Sequence, residues 1–189
     1  MSPLNYMKMM VSFHDGWDEI HEIHPEIART FFLLVMPFLL IPPGMLLMAG
    51  NFHASAYLIN APFSRWEEVS VAFLITELFT VPLMGWVIQR AAALHNVRSD
   101  FKDTFLLAAI AAVPLWLSSL ALMIPHLGIM ITIVVLGFLA SISMLYHGIY
   151  TILGISDPQK AKALSISVFT ACGLLWAVVC AFVVLRLMY

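Results

Sequence analysis

The sequence predicts an all-α integral membrane protein: five transmembrane helices in one bundle, preceded by a short amphipathic N-terminal interfacial helix. Three observations predict it. Of the 189 residues, 62% are hydrophobic and 11% charged, against roughly 45–50% and about 25% in soluble domains, and the mean hydropathy is +0.95. The stretch from Thr104 to Gly154 holds no Asp, Glu, Lys or Arg. At about 1.5 Å per helical residue it is too long for one crossing of a hydrocarbon layer about 30 Å thick. Its sharp break, Ile124-Pro125-His126-Leu127-Gly128, divides it into two helices joined by a tight turn. Such a hairpin makes the two helices antiparallel neighbours, and the other apolar segments must pack around them.

Residues 1–28 form the only long polar stretch, a cytoplasmic segment ahead of a five-helix membrane domain at 29–189. Ile20, Ile23 and Ile27 recur at helical spacing with Trp17 on the same side, and acids and histidines lie opposite, a pattern suited to the membrane interface. Acids within the first twenty residues, and the lack of a basic–apolar–small cleavage pattern, argue against a signal peptide. Span one covers about 29–50. Its Pro37 and Pro42-Pro43-Gly44 remove backbone donors and kink or break a helix, which lipid tolerates only where protein or water satisfies the freed carbonyls. In the 51–68 connection, Phe52, Tyr57, Phe63 and Trp66 suggest a path along the interface.

Span two covers about 69–91, with Pro82 and Gly85 inside it, and a polar loop at 92–103 follows. Span three covers about 104–124 with Pro114 inside, span four about 128–154 and span five about 163–187. Before span five, Pro158 suits the first helical position and Asp157 the cap.

Seven of the nine Lys and Arg fall on one side of this topology: Lys8, Arg29, Arg90, Arg98, Lys102, Lys160 and Lys162, against Arg65 and Arg186. The positive-inside rule then places the N-terminus in the cytoplasm and the C-terminus outside. Small residues mark close-packing seams: Gly173, Ala177 and Ala181 on span five, Gly137 and Ser141 on span four, Ala108 and Ala112 on span three. A homo-oligomer seam is possible as well, but packing within the bundle explains them without one.

Glu77 is the sharpest chemical feature. Eight residues into span two, it lies about 12 Å below the outer surface, where an acid costs roughly 2.5–3.5 kcal/mol and usually faces the bundle interior or a wet cavity. Its expected partners are Ser118, Ser119, Thr132 and the carbonyls near Pro42-Pro43. Two roles are open to it, a functional site and a protonated group that locks the bundle. His147, near the inner end of span four, is more than about 10 Å from Glu77 in depth and reads as structural, beside Tyr146 and Tyr150.

His21 and His24 share a helix face with Asp18, but no fourth ligand completes a metal site. These three, with His14 and Glu22, read as a solvated face. Cys172 and Cys180, eight residues apart, stand about 12 Å apart along a helix and cannot bond to each other. The net charge of −2 offers no surface for nucleic acid. No catalytic triad, phosphate loop or metal motif is present, so neither an enzyme nor a cofactor is expected.

The segment Val113-Pro114-Leu115-Trp116-Leu117-Ser118-Ser119, the Pro125 hairpin, and Leu145-Tyr146-His147-Gly148-Ile149-Tyr150 followed by Leu153-Gly154-Ile155 resemble the bacterial branch of the Yip (Ypt-interacting-protein) domain family. The resemblance covers most of residues 20–187 and is greatest to short inner-membrane members. It implies a five-helix fold in a bacterial inner membrane with a cytoplasmic N-terminus. The eukaryotic relatives act in membrane trafficking through Rab-type GTPases. Their acidic Asp-Leu-Tyr-Gly-Pro-type motif is absent here, so that role is not carried over. Two functional classes follow: a non-enzymatic membrane protein that binds a lipid or a membrane-protein partner, and a small transporter or channel using Glu77.

Overall fold

The computed structural model describes residues 17, 25–155 and 157–188. The amphipathic pattern at 15–27, with the histidines and acids on its polar face, lies mostly outside the described residues, as do Asp18, His21 and His24. Among the described residues there is no strand, and five helices are long and apolar enough to cross a membrane.

The first span, α1 (Ile27–Phe52), is not a uniform helix. A π-helical turn at Phe31–Val35 precedes Pro37, and the ladder tightens at Leu40 before the helix resumes over Ile41–Phe52. The prolines therefore bend the span and do not end it. Ser70 of the next span donates to the Pro43 carbonyl at 2.7 Å, a protein partner for a carbonyl inside the bilayer.

The second span, α2, runs Phe63–Leu94. It starts six residues before the expected boundary, and this overturns the reading of the 51–68 connection. The chain between α1 and α2 is a short link containing a 3-10 turn at Ala54–Tyr57. Phe52 and Phe63 are exposed, but Tyr57 and Trp66 are buried. The Trp66 ring occupies the space where a Gly50 side chain would begin. The Tyr57 hydroxyl lies 2.9 Å from the Leu122 carbonyl and 2.7 Å from that of Ile124, so it clamps the link to the end of the third span. Burial pushes Tyr57 above its ordinary value of 10.0. The neutral hydroxyl is favoured in the fold, so this contribution is complete below pH 10 and lost as pH rises through the raised value. Tyr57→Phe is expected to cost about 1 kcal/mol and to flatten the fall in stability above pH 10, read by chemical unfolding in mild detergent at several pH values.

The third span, α3, is α-helical over Phe101–Ser118 and finishes as a 3-10 helix at Ser119–Met123. After the Ile124-Pro125-His126 turn, α4 runs Leu127–Ile152. His126 caps it, its Nδ1 accepting from the Ile129 N–H at 3.3 Å. The last span, α5, runs Pro158–Met188, and Asp157 accepts from the Gln159 N–H at 2.9 Å.

The hairpin helices are close neighbours, yet they occupy different places. α3 is central, packing on α1, α2 and α4, and 67% of its most apolar stretch is buried against 6% for α4. Its run of Ala108, Ala109, Ala111 and Ala112 lets neighbouring backbones approach. α2 touches α1, α3 and α5. Outward residues such as Val71, Ile75, Phe79 and Leu83 of α2 are apolar and exposed, as lipid-facing positions require.

Two of the expected seams differ in outcome. Gly137 of α4 lies against α3, where an added Cβ would meet Ser118 Cβ at 2.7 Å and the Pro114 carbonyl oxygen at 2.9 Å. The neighbouring Ser141 donates to the Ala111 carbonyl at 2.6 Å, in the turn where Pro114 loosens the ladder. On α5, Ala177 and Ala181 instead face outward, and a Cβ on Gly173 would meet only the Phe138 ring, at 3.9 Å. Trp17, expected on the interface-facing side of its helix, is fully buried beside Gly148 and Leu107. An indole buries a large apolar area, and Gly148 leaves room for it.

Candidate functional site

The longer α2 places Glu77 near the middle of the helix. Fourteen residues past Phe63 and seventeen before Leu94, it sits about 21 Å from one helix end and about 26 Å from the other, near mid-span. Its position follows from helical spacing. Trp66, Phe73, Glu77, Thr80, Val81, Met84 and Ile88 fall on the inward face of α2, while Ile75 and Phe79 turn outward.

That inward face lines a cavity of about 410 Å³ whose walls come mainly from α2, α3, α4 and α5, with Pro42 and Leu46 of α1 at one side. The cavity is extended along the bundle. From Trp66 to Ile88 it follows α2 for about 33 Å. Its wall is mostly aliphatic and aromatic, and Glu77 is the sole Asp, Glu, Lys, Arg or His among its described lining residues. α4 and α5 touch far less than α3 and α4 do. The stacked rings of Phe138 and Trp176, with centroids 5.1 Å apart, bridge the two helices beside the cavity.

The structure brings Glu77, Ser118 and Ser119 onto this one cavity, but it does not join them as expected. Glu77 accepts a hydrogen bond on Oε2 from the Trp116 indole N–H at 3.1 Å. Ser118 donates to the Leu115 carbonyl at 2.7 Å and Ser119 to that of Trp116 at 2.6 Å. Thr132 is exposed and donates to the Gly128 carbonyl at 2.8 Å. These hydroxyls satisfy themselves on their own helices, as Ser and Thr do within helices, whereas the Trp116 indole reaches across to Glu77 and the buried Trp66 indole N–H on the same cavity has no partner among the described residues. Glu77 is 6% exposed, and its Oε1 has no hydrogen-bond partner among the described residues.

His147 lies outside the cavity wall. Its Nδ1 is 2.7 Å from the Ser143 carbonyl oxygen and its ring meets Tyr146 edge-on at 5.7 Å. Cys172 and Cys180 are free and both face the cavity. No group of three His, Cys, Asp or Glu capable of holding a metal occurs among the described residues.

Comparison with known proteins found no match among curated proteins and none among solved structures. The model of the Yip1 domain matches residues 7–179. That match takes in the first four spans, most of α5, the Pro125 hairpin, and Glu77 and Trp116, and the chain belongs to the Yip1 domain family.

Proposed function

We propose that this Yip1-family protein is a non-enzymatic membrane protein that binds a lipid, taking one alkyl chain into the cavity between α2, α3, α4 and α5. The shape and lining of that cavity carry the reading. A volume of about 410 Å³ drawn out along α2 suits a single flexible chain better than a compact solute, and an apolar wall with few polar groups is what such ligands select. The sparse packing of α4 on α5 offers a chain a side entry from the bilayer. We further propose that the protein sits in a bacterial inner membrane with its N-terminus cytoplasmic. The Lys and Arg count supports that orientation, and on the opposite end Arg186 is already paired with Glu68 at 2.8 Å, leaving Arg65.

Native mass spectrometry of protein extracted in mild detergent tests the reading. The expected result is a species carrying one lipid, lost from Ala112→Leu, which adds bulk to the cavity wall. Wild-type protein that is free of lipid under conditions preserving the fold would overturn it.

A second reading, a proton- or solute-coupled transporter, draws on the position of Glu77 in the cavity. A wall with one acid along about 33 Å gives an ion few stepping points. Glu77→Gln that folds normally yet abolishes coupled flux in proteoliposomes would favour this reading over the first.

A further inference from the structure

Resting on the lipid-binding reading, we propose that the cavity is specific for a single-chain lipid with a small neutral hydroxyl-bearing head, and that this hydroxyl docks on Glu77 Oε1 near mid-membrane. Three observations converge on it. The carboxyl group is held in place: the indole N–H of Trp116 occupies Oε2, and the side chain is 6% exposed. The other oxygen has no hydrogen-bond partner among the described residues, and Glu77 lines the cavity, so this acceptor is open to a ligand's donor. Glu77 lies nine residues, about 14 Å, beyond the exposed Glu68 on α2, a depth that excludes a charged or zwitterionic headgroup, which would have to leave water entirely.

The chemistry of Oε1 narrows the head further. If the acid is ionised, Oε1 needs a donor. If it is protonated there, it needs an acceptor. A hydroxyl supplies both, whereas an ester or a hydrocarbon end cannot answer the ionised form. The neighbouring hydroxyls do not compete for it, because Thr80, Ser118, Ser119 and Ser141 all donate to backbone carbonyls. On either side of Glu77 the wall returns to apolar residues, Phe73 toward one end and Met84 and Ile88 toward the other. A tail can extend along them.

Trp66, Trp116 and Trp176 line the cavity and report its occupancy. A long-chain alcohol brominated at mid-chain, and the alkane of the same length with the same bromination, are titrated into the detergent-solubilised protein while tryptophan fluorescence is followed. The expected result is saturable quenching by both, with the alcohol binding about tenfold more tightly, equivalent to about 1.4 kcal/mol. Glu77→Leu is expected to remove that preference while keeping alkane binding, and Glu77→Gln, which still offers an oxygen and an N–H, to retain most of it. Equal binding of alcohol and alkane to the wild-type protein would overturn the docking of a hydroxyl on Glu77 and leave the lipid-binding reading standing. No saturable quenching by either compound would overturn both. The wild-type comparison decides the matter even if Glu77→Leu fails to fold.

Discussion

Replacing Gly85 by alanine is expected to destabilise the bundle by about 1–3 kcal/mol, and by valine to destabilise it more. Gly85 is where α2 passes close against the backbone of α3. A Cβ there would stand 2.9 Å from Phe105 Cα, 3.2 Å from its backbone nitrogen and 3.4 Å from its Cβ. These are backbone or near-backbone atoms of a helix buried on most sides, so no flexible side chain can swing away, and one helix must move as a body. Such a shift would loosen buried neighbours at the crossing, Val81 and Ile88 on α2 with Phe105 on α3. Alanine's better helix propensity, about 1 kcal/mol over glycine, offsets part of the loss. Gly44→Ala provides the control: nothing lies within 4 Å of its would-be Cβ and the site is exposed, so that change is expected to be neutral or slightly stabilising. Unfolding midpoints of both variants in mild detergent test the contrast. Equal midpoints would show that the crossing is not close-packed in the membrane protein.

The second large effect is expected at Trp116. Trp116→Phe removes the indole N–H that Glu77 Oε2 accepts at 3.1 Å and leaves a buried acid with no protein partner. The expected cost is about 1–3 kcal/mol, above the roughly 0.6 kcal/mol average for hydrogen bonds between membrane helices, because the orphaned group is a carboxyl within an apolar cavity. The double variant Trp116→Phe/Glu77→Leu replaces both partners by apolar groups and is expected to recover most of the loss. A thermodynamic cycle over the two single variants and the double isolates the pair. If the single losses simply add, the bond contributes nothing and the placement of Glu77 rests on packing alone.

The same pair shows how far the candidate site was legible. Glu77 stood out because an acid in an apolar span is rare and costly, and Ser118 and Ser119 do share its cavity. Trp116 was the partner not named, since a tryptophan in a span also fits an aromatic belt or a packed core, and only the pairing of faces separates those uses. The start of α2 was misplaced for a related reason. Arg65, Glu67 and Glu68 look like a connection, yet the helix runs through them from Phe63; near the end of a span, charged side chains can stay in water while their backbone is helical.

What the sequence determined by itself was the class, the five spans, the hairpin at Pro125 and the bias of basic residues. All of these follow from one-dimensional quantities: the length of apolar runs set against bilayer thickness, the donors removed by proline, and charge counted beside each span. Which helix stands at the centre was decided only by the tertiary structure. α3 and α4 are similarly apolar, and yet one is largely buried and the other faces lipid. Inside a membrane the protein interior and the surrounding lipid are equally apolar, so hydropathy cannot tell a buried helix from a peripheral one. The choice falls to shape: the alanine run of α3, the close approach at Gly85 and Gly137, and the indoles of Trp17 and Trp66 seated beside Gly148 and Gly50. The cavity is what that packing leaves between α2, α3, α4 and α5, and Glu77 matters because the packing turns it there.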